Sequence, residues 1–197
     1  MTSYEQIFEN NREWVREKLS LDPEYFEKLS RGQAPHYLFI GCSDSRMPLN
    51  TFTKTSPGEI FIHRNVANIV SERDENFLAV LQYAVENLKI PHLVICGHYD
   101  CGGVKAVYFD QAEGHVKRWL RPLFKVYRQY RHELEQLSSE RERYDRLAEL
   151  NVIEGVKRLA QNPIVRRARE RGQEIHIHGW IIDIYHGLIR DLEVSSL

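Results

Sequence analysis

The chain has 197 residues and a formal net charge of −1 at pH 7, with 27 basic and 28 acidic side chains. This length suits a single domain with one sizeable core, and the near balance of charge argues against a general nucleic-acid-binding protein. Residues 1–11 lack the apolar core of a signal peptide, and no stretch approaches the roughly 20 apolar residues of a membrane span, so we expect a cytoplasmic protein without a membrane partner.

The N-terminal region predicts two helices. Ser3 is a favourable cap for the first helix, whose apolar residues recur at near-helical spacing: Ile7, Trp14, Val15 and Leu19. A second helix is predicted to begin at Asp22-Pro23 and to stop at Gly32. We expect a single domain over 1–197, with a helical arm at 1–32 and a core at 33–197 that carries the strand and metal-ligand patterns described below.

Strand and helix patterns alternate through the remainder of the chain. Strands are predicted at 37–41, 59–64, 90–97 and 174–178, with a hairpin or paired edge strands within 183–194. Helices are predicted at 74–88, from 102 onward, and at 115–137, 139–161 and 162–172. Pro122 should begin or kink the third of these helices. This rhythm predicts the α/β class, with a mostly parallel central sheet flanked by helices.

Metal-ligating side chains follow two of the predicted strands. Cys42 and Asp44 come after the first apolar run, and His98 and Cys101 come after the run that ends at Gly97. Ligands collect at the carboxyl ends of strands in open α/β sheets. Two thiolates, one imidazole and one carboxylate match the number and softness of donors that a tetrahedral Zn²⁺ prefers.

Other interpretations of the three cysteines remain open at this point. Cys42 and Cys101 could be buried apolar residues or a disulfide, although a disulfide is disfavoured without a secretory context. Cys96 lies inside an apolar run and is predicted to pack in the core. A thiol redox protein is disfavoured because the C-x-x-C spacing is absent.

Three sequence blocks resemble the successive signatures of the β-class carbonic anhydrases. They are Cys42-Ser43-Asp44-Ser45-Arg46, His63-Arg64-Asn65-Val66-Ala67-Asn68 and Gly97-His98-Tyr99-Asp100-Cys101-Gly102-Gly103. The similarity runs from about Gln33 to Val194, with a variable middle. It implies one Zn²⁺ per chain held by Cys42, His98 and Cys101, with water or Asp44 as the conditional fourth ligand.

The resemblance also implies an activity and an assembly. The expected reaction is the reversible hydration of CO₂ to bicarbonate and a proton by attack of zinc-bound hydroxide, with Asp44 and Arg46 acting as a catalytic dyad. The family's substrate pocket, partly supplied by a partner subunit, matches Gln33, Phe61, Val66, Tyr83 and Gly102. We expect a homo-oligomer, either a dimer or a dimer of dimers. Because two thiolates donate more charge than histidines, activity should be higher at alkaline pH.

Without the resemblance, Phe61, Val66 and Tyr83 would be interpreted as ordinary core residues and Gln33 as a loop amide. Two rival functions also remain open. One is hydrolysis of carbonyl sulfide or carbon disulfide on the same scaffold. The other is a non-catalytic protein whose structural zinc is closed by a permanent Asp44 ligand.

Two positions depart from the family pattern. One branch of the family has an inhibitory bicarbonate site made of Trp, Arg and Tyr, and the matching residues here are Phe39, Arg64 and Ile182, so we expect that inhibition to be absent. Asp100 replaces an expected small residue such as Gly or Ala. Its carboxylate could raise the pKa of metal-bound water, narrow access, relay protons or point to solvent.

Overall fold

The computed structural model describes residues 3–194, which form two compact units, 3–34 and 35–194. The first unit contains α1 (Tyr4–Leu21) and α2 (Tyr25–Ser30). The hydroxyl of Ser3 accepts a hydrogen bond from the Gln6 backbone N–H at 3.2 Å, as expected of the predicted cap. The two helices pack through aromatic rings, with the centroids of Trp14 and Phe26 5.3 Å apart.

The predicted start of the second helix is wrong by about two residues. Asp22 ends α1, where its backbone N–H donates to the carbonyl of Lys18, and its carboxylate accepts a hydrogen bond from the Glu24 N–H at 3.1 Å. Residues 23–24 form a turn, and α2 begins at Tyr25. Asp22 therefore organises the turn between the helices, while Pro23 lies outside α2.

The second unit is built on a five-stranded sheet with strand order β2-β1-β3-β4-β5. The strands are β1 (Tyr37–Cys42), β2 (Ile60–Asn65), β3 (His92–His98), β4 (His176–Asp183) and β5 (Leu188–Asp191). The first four strands pair in parallel, and β5 is antiparallel to β4 at the sheet edge. The predicted α/β class with a mostly parallel sheet is therefore confirmed, although β4 runs five residues beyond its predicted end.

Helices flank this sheet. They are α3 (Leu49–Thr53), α4 (Glu75–Gln82), α5 (Gly102–Tyr108), α6 (Gly114–Trp119), α7 (Arg121–Gln129), α8 (Arg131–Glu135), α9 (Glu140–Gln161) and α10 (Pro163–Glu170). The single helix predicted at 115–137 is wrong, because Leu120 and Tyr130 leave helical geometry and divide it into α6, α7 and α8. Pro122 lies in the first turn of α7, where its missing N–H costs nothing. No helix within residues 3–194 is long and apolar enough to cross a bilayer.

Two short helical turns with non-α geometry follow β2 and α4. A 3₁₀ turn at Val66–Asn68 follows β2, and α4 continues as a π-helical turn at Tyr83–Asn87. The predicted cap of α4 is present, since the Asp74 carboxylate accepts a hydrogen bond from the Asn76 N–H at 3.1 Å. The helix predicted at 74–88 is therefore present, but its last turn is π-helical instead of α-helical.

Two groups of buried side chains hold the second unit together. The larger includes the apolar face of α9, with Leu147, Leu150, Val152, Val156 and Leu159. The smaller contains Phe39, Met47, Leu49, Val94, Cys96 and Ile182. The prediction that Cys96 packs in the core is confirmed, because its side chain is completely buried in this smaller group.

Gly97 permits close packing at the carboxyl end of β3. A Cβ atom at this position would lie 2.9 Å from Cγ2 of Val152 and 3.0 Å from Cδ1 of Ile181. Both neighbours belong to the core, so they have little room to retreat. Gly97 is therefore required for the packing of β3 against α9 and β4.

We predict that Gly97→Ala lowers the free energy of unfolding by about 1–3 kcal/mol through overpacking. Urea denaturation monitored by circular dichroism measures this change. Gly102→Ala is the matched control, since a Cβ there meets no atom within 4 Å, and it should show no loss. Equal stability of the two variants would contradict the packing argument.

Candidate metal centre

The sheet brings two sulfur donors and one nitrogen donor together at the carboxyl ends of its strands. Cys42 is the last residue of β1, His98 is the last residue of β3, and Cys101 precedes α5. Their ligand atoms all lie within 4.8 Å of one another, and all three side chains are buried. Because β1 and β3 are neighbouring parallel strands, their carboxyl ends meet at the same edge. The structure thus unites three of the predicted ligands.

The imidazole of His98 is oriented to coordinate an ion. Its Nδ1 lies 2.9 Å from the carbonyl oxygen of Tyr99, and since that oxygen can only accept, Nδ1 carries the proton. Nε2 is left with a lone pair, and this buried atom has no hydrogen-bond partner within residues 3–194. Buried polar atoms in native proteins nearly always have a partner. A metal ion bound to Nε2 would satisfy it, and the backbone contact at Nδ1 is the usual support of a metal-bound histidine.

The two cysteines supply the remaining donors as reduced thiols. Their Sγ atoms are 3.9 Å apart, against about 2.05 Å in a disulfide, so the disulfide interpretation is wrong. Their shared hydrogen bond lowers the pKa of Cys42 and raises the pKa of Cys101. Two thiolates and one imidazole fit Zn²⁺ and leave a fourth tetrahedral position.

Asp44 lies beside the three donors and is restrained by Arg46. The guanidinium of Arg46 donates to both carboxylate oxygens of Asp44, at 3.0 and 2.8 Å, and the Arg46 backbone N–H donates at 2.9 Å. These contacts hold the pKa of Asp44 well below its usual range. Oδ2 of Asp44 is 3.7 Å from Nε2 of His98. The carboxylate is therefore ionised, close to the donor cluster and bound to Arg46.

Asp100 extends this ion pair on its other side. Its carboxylate lies 2.7 Å from Nζ of Lys105 and 3.4 Å from Nη1 of Arg46, and its backbone N–H donates to Asp145 at 3.0 Å. Asp100 has a φ of 57°, a left-handed conformation that glycine adopts freely and aspartate tolerates. The left-handed backbone gives a physical reason why Asp can occupy a position where a small residue such as Gly or Ala was expected.

Arg64 braces the loop that carries the first donors. Its guanidinium donates to the carbonyl of Cys42 at 2.9 and 2.7 Å and to the carbonyl of Asp44 at 2.7 Å. Phe39 and Ile182, the other two positions of the family's inhibitory site, are buried in the smaller apolar group. Arg64 is thus engaged by backbone carbonyls, and the expected absence of bicarbonate inhibition stays a prediction.

The predicted substrate-pocket residues lie in three places. Gln33 is an exposed residue of the first unit. In the second unit Phe61 and Tyr83 form an aromatic pair with centroids 5.8 Å apart. Val66 packs against the first turn of α5, since a Cβ on Gly103 would meet its Cγ1 at 3.2 Å, and Gly102 borders open space. Their roles toward substrate stay predictions.

The interpretation of Val66 and Tyr83 as ordinary core residues is wrong. Val66 is 41% exposed and Tyr83 is 45% exposed. Phe61, which pairs with Tyr83, is only half-buried. These apolar groups are therefore available to contact a substrate or another subunit, which buried core residues could not do.

Sequence reasoning missed the side chains that shape the loop after β2. The indole Nε1 of Trp119 donates to the carbonyl of Val66 at 2.8 Å, and the amide of Asn151 donates to the carbonyl of Ala67 at 2.8 Å. Asn65 closes the turn by accepting the Ile69 N–H at 2.7 Å. Ala67 needs this support because its φ of 62° is strained for a residue with a side chain.

Comparison with protein families identifies the relatives of this chain. Residues 37–189 match the family model described as carbonic anhydrase. A carbonic anhydrase of Emericella nidulans is 43% identical over 98% of this chain and 85% of its own length. A carbonic anhydrase of Saccharomyces cerevisiae is 33% identical over 99% of this chain and 91% of its own length.

Solved structures give the same result. A tetrameric β-carbonic anhydrase of Sordaria macrospora superposes with a TM-score of 0.92 at 40% identity, covering 100% of both chains. The Coccomyxa β-carbonic anhydrase in complex with acetazolamide has a TM-score of 0.93 at 36% identity, covering 100% of this chain and 89% of its own.

We predict that Cys42→Ala and Cys101→Ala each lose stoichiometric zinc, because two of the three donors cannot hold the ion tightly. Cys96→Ala is the matched control, since this thiol belongs to the apolar core. Metal analysis by mass spectrometry after dialysis should give about one Zn²⁺ per chain for the parent and the control. Full zinc retention by Cys42→Ala and Cys101→Ala would show that the ion binds elsewhere.

Proposed function

Because this chain belongs to the β-carbonic anhydrase family, we propose that it catalyses the zinc-dependent, reversible hydration of CO₂ to bicarbonate and a proton. The observation that carries the proposal is the buried Cys42, His98 and Cys101 cluster with its unpartnered imidazole nitrogen. These three side chains would hold one Zn²⁺ per chain. The ion, when bound, supplies hydroxide near neutral pH.

Asp44 and Arg46 would orient the nucleophile. The two guanidinium hydrogen bonds fix the Asp44 carboxylate as an acceptor beside the donor cluster. Such an acceptor binds the hydrogen of a hydroxide and turns its lone pair toward CO₂, so the entropy of alignment is lost before the reaction. If the pair with Arg46 broke, the freed Asp44 carboxylate would be available as a fourth ligand and would exclude solvent from a bound ion.

The substrate would be placed by an apolar surface. Phe61, Val66 and Tyr83 offer nonpolar contacts that suit a small linear gas, and Gly102 leaves room at the start of α5. We assign the Gln33 amide the role of hydrogen-bonding an oxygen of bicarbonate. Part of this pocket would come from a partner subunit, as the exposure of Val66 and Tyr83 in the isolated chain suggests.

We also propose that the chain forms a homo-oligomer, either a dimer or a dimer of dimers. The Sordaria relative is described as tetrameric. In the first unit, helix α1 exposes several large apolar side chains: Tyr4, Ile7, Phe8, Trp14, Leu19 and Leu21. A second copy of the chain would remove such groups from water, at a gain of about 25 cal/mol per Å² of apolar surface.

We predict that Arg46→Gln and Asp44→Asn lower kcat for CO₂ hydration by about 10²–10³-fold while zinc remains bound, because orientation of the nucleophile is lost. Stopped-flow hydration assays on metal-quantified protein measure the effect. Arg166→Gln, a change on the exposed face of α10, is the control and should leave kcat unchanged. A sulfide-release assay with carbonyl sulfide and carbon disulfide runs beside it, and activity only in that assay would overturn the proposed reaction. A fully zinc-loaded parent that is inactive at every pH would instead indicate the closed structural site.

We predict that the parent is more active at pH 9 than at pH 6, because Cys42 and Cys101 place two negative charges on the ion. Asp100→Gly should move the rise in activity toward acid by about 0.5–1 pH unit, since it removes one more nearby negative charge. The glycine tolerates the left-handed backbone at this position, so the fold should persist. A pH–rate profile of kcat/KM checks both statements. A flat profile contradicts the first, and superimposed profiles assign Asp100 a purely structural role.

A further inference from the structure

A cavity of about 870 Å³ lies away from the metal donors, between the segment 70–76, the start of α7 and the last turns of α9. Five basic side chains line it: Arg73, Arg118, Arg121, Lys125 and Arg158. Three acidic residues also reach its wall: Glu72, Asp74 and Glu75. The cavity therefore carries an excess of positive charge in a chain whose overall charge is nearly balanced.

The basic groups of this cavity have no ion-pair partner among the described residues. Within residues 3–194, none of the five basic side chains has a carboxylate oxygen within 4.0 Å. The Asp74 carboxylate is occupied as the cap of α4, where it accepts the Asn76 N–H. Elsewhere comparable cations are paired, as Lys105 is with Asp100 and Arg146 is with Glu149. What distinguishes this cavity is that five such cations line one wall.

Arg158 shows most clearly that an acceptor is missing. Its Nη1 atom is buried and has no hydrogen-bond partner in the described part of the chain, and burial lowers the pKa of this guanidinium. Glu154, one turn earlier on α9, does not supply the acceptor, because among the described ion pairs none joins its carboxylate to Arg158 within 4.0 Å. Its Oε1 instead accepts hydrogen bonds from Lys157 at 2.7 Å and from Tyr130 at 2.8 Å. A buried cationic N–H without an acceptor is unfavourable, and the oxygen of a bound anion would relieve this cost.

We propose that this cavity binds the phosphate group of a small phosphate monoester. Guanidinium groups match the geometry of phosphate oxygens and form paired, charge-assisted hydrogen bonds with them. The volume falls in the range of about 300–1,000 Å³ typical of small-molecule sites, which exceeds the need of an inorganic ion. Trp119 and Pro122 on the wall give the organic part of such a ligand an apolar surface.

This site is separate from the one that carries the proposed function, and CO₂ and bicarbonate lack the multiple charge it is built to receive. Trp119 nevertheless connects the two regions, because it lines the cavity and its Nε1 donates to the carbonyl of Val66 at 2.8 Å. The same indole provides a spectroscopic reporter. The chain has three tryptophans, and the other two, Trp14 and Trp180, do not line the cavity.

The test is a titration of the zinc-loaded protein with glucose 6-phosphate at constant ionic strength, followed by calorimetry and by tryptophan fluorescence. We expect saturable binding of about one molecule per chain and a fluorescence change that Trp119→Phe abolishes. Glucose should not bind, because it lacks the anionic group. Inorganic phosphate should bind at least about tenfold more weakly, since it leaves the apolar wall unfilled. Equal binding of inorganic phosphate would overturn the assignment to an ester, and absence of saturable binding would overturn the site.

Variants locate the ligand within the molecule. Arg158→Met and Lys125→Gln should each weaken binding about tenfold or more, the loss expected for one charge-assisted hydrogen bond. Arg128→Gln is the matched control, because Arg128 lies one turn beyond Lys125 on α7 and lines only the neighbouring cavity. If Arg158→Met does not fold, as judged by circular dichroism, Lys125→Gln on the exposed wall decides the question. Unchanged affinity in the folded variants, or equal weakening by Arg128→Gln, would contradict the proposal.

The metal-free Cys42→Ala variant separates this site from the metal centre. Binding of glucose 6-phosphate should persist in this variant with about the parent affinity, whatever its activity toward CO₂. Loss of binding together with zinc would show that the anion binds at the ion, and the cavity assignment would then be wrong.

Discussion

The parallel pairing of β1 with β3 is the constraint on which the metal centre depends. Gly41 stands opposite Cys96 in this register, so the two strands end at the same level of the sheet. The thiol of Cys42 and the imidazole of His98 then meet, although 56 positions separate them in the chain. A shift of one residue would turn one side chain to the opposite face. Strand pairing, more than the loops, therefore determines the position of the donors.

Backbone groups fix the orientation of these donors once the strands have placed them. The carbonyl of Tyr99 holds the ring of His98, and the guanidinium of Arg64 holds the carbonyl of Cys42. Tyr99 is anchored in turn, because its hydroxyl donates to Glu149 at 2.6 Å. Support of this kind narrows the range of donor positions, so less ordering remains to be done when an ion binds.

The sequence predicted the sheet and the donor cluster because both depend on local patterns. The apolar runs at 37–41 and 90–97 each precede short motifs whose residue types suit a soft metal ion. It could not predict the contact of Trp119 with Val66, which joins positions 53 residues apart, or the exposure of Tyr83. Those features arise from tertiary packing, which the hydrophobic periodicity of a sequence does not reveal. The first division of 115–137 had a signal in Pro122, which lies in the first turn of α7 as predicted. The second division was missed, since Tyr130 carries no helix-breaking signal.

The residue that holds Asp44 is more exposed to solvent than the three donors beside it. Cys42, His98 and Cys101 are sealed from solvent, whereas the guanidinium side chain of Arg46 is 47% exposed. Mobile ions screen exposed charge pairs over about 8 Å at physiological ionic strength and hardly affect buried contacts. The carboxylate beside the donor cluster is thus held by a residue that is exposed to solvent. The salt concentration of the medium should therefore affect the pairing of Asp44 with Arg46, while it should hardly affect the buried Cys42, His98 and Cys101 side chains.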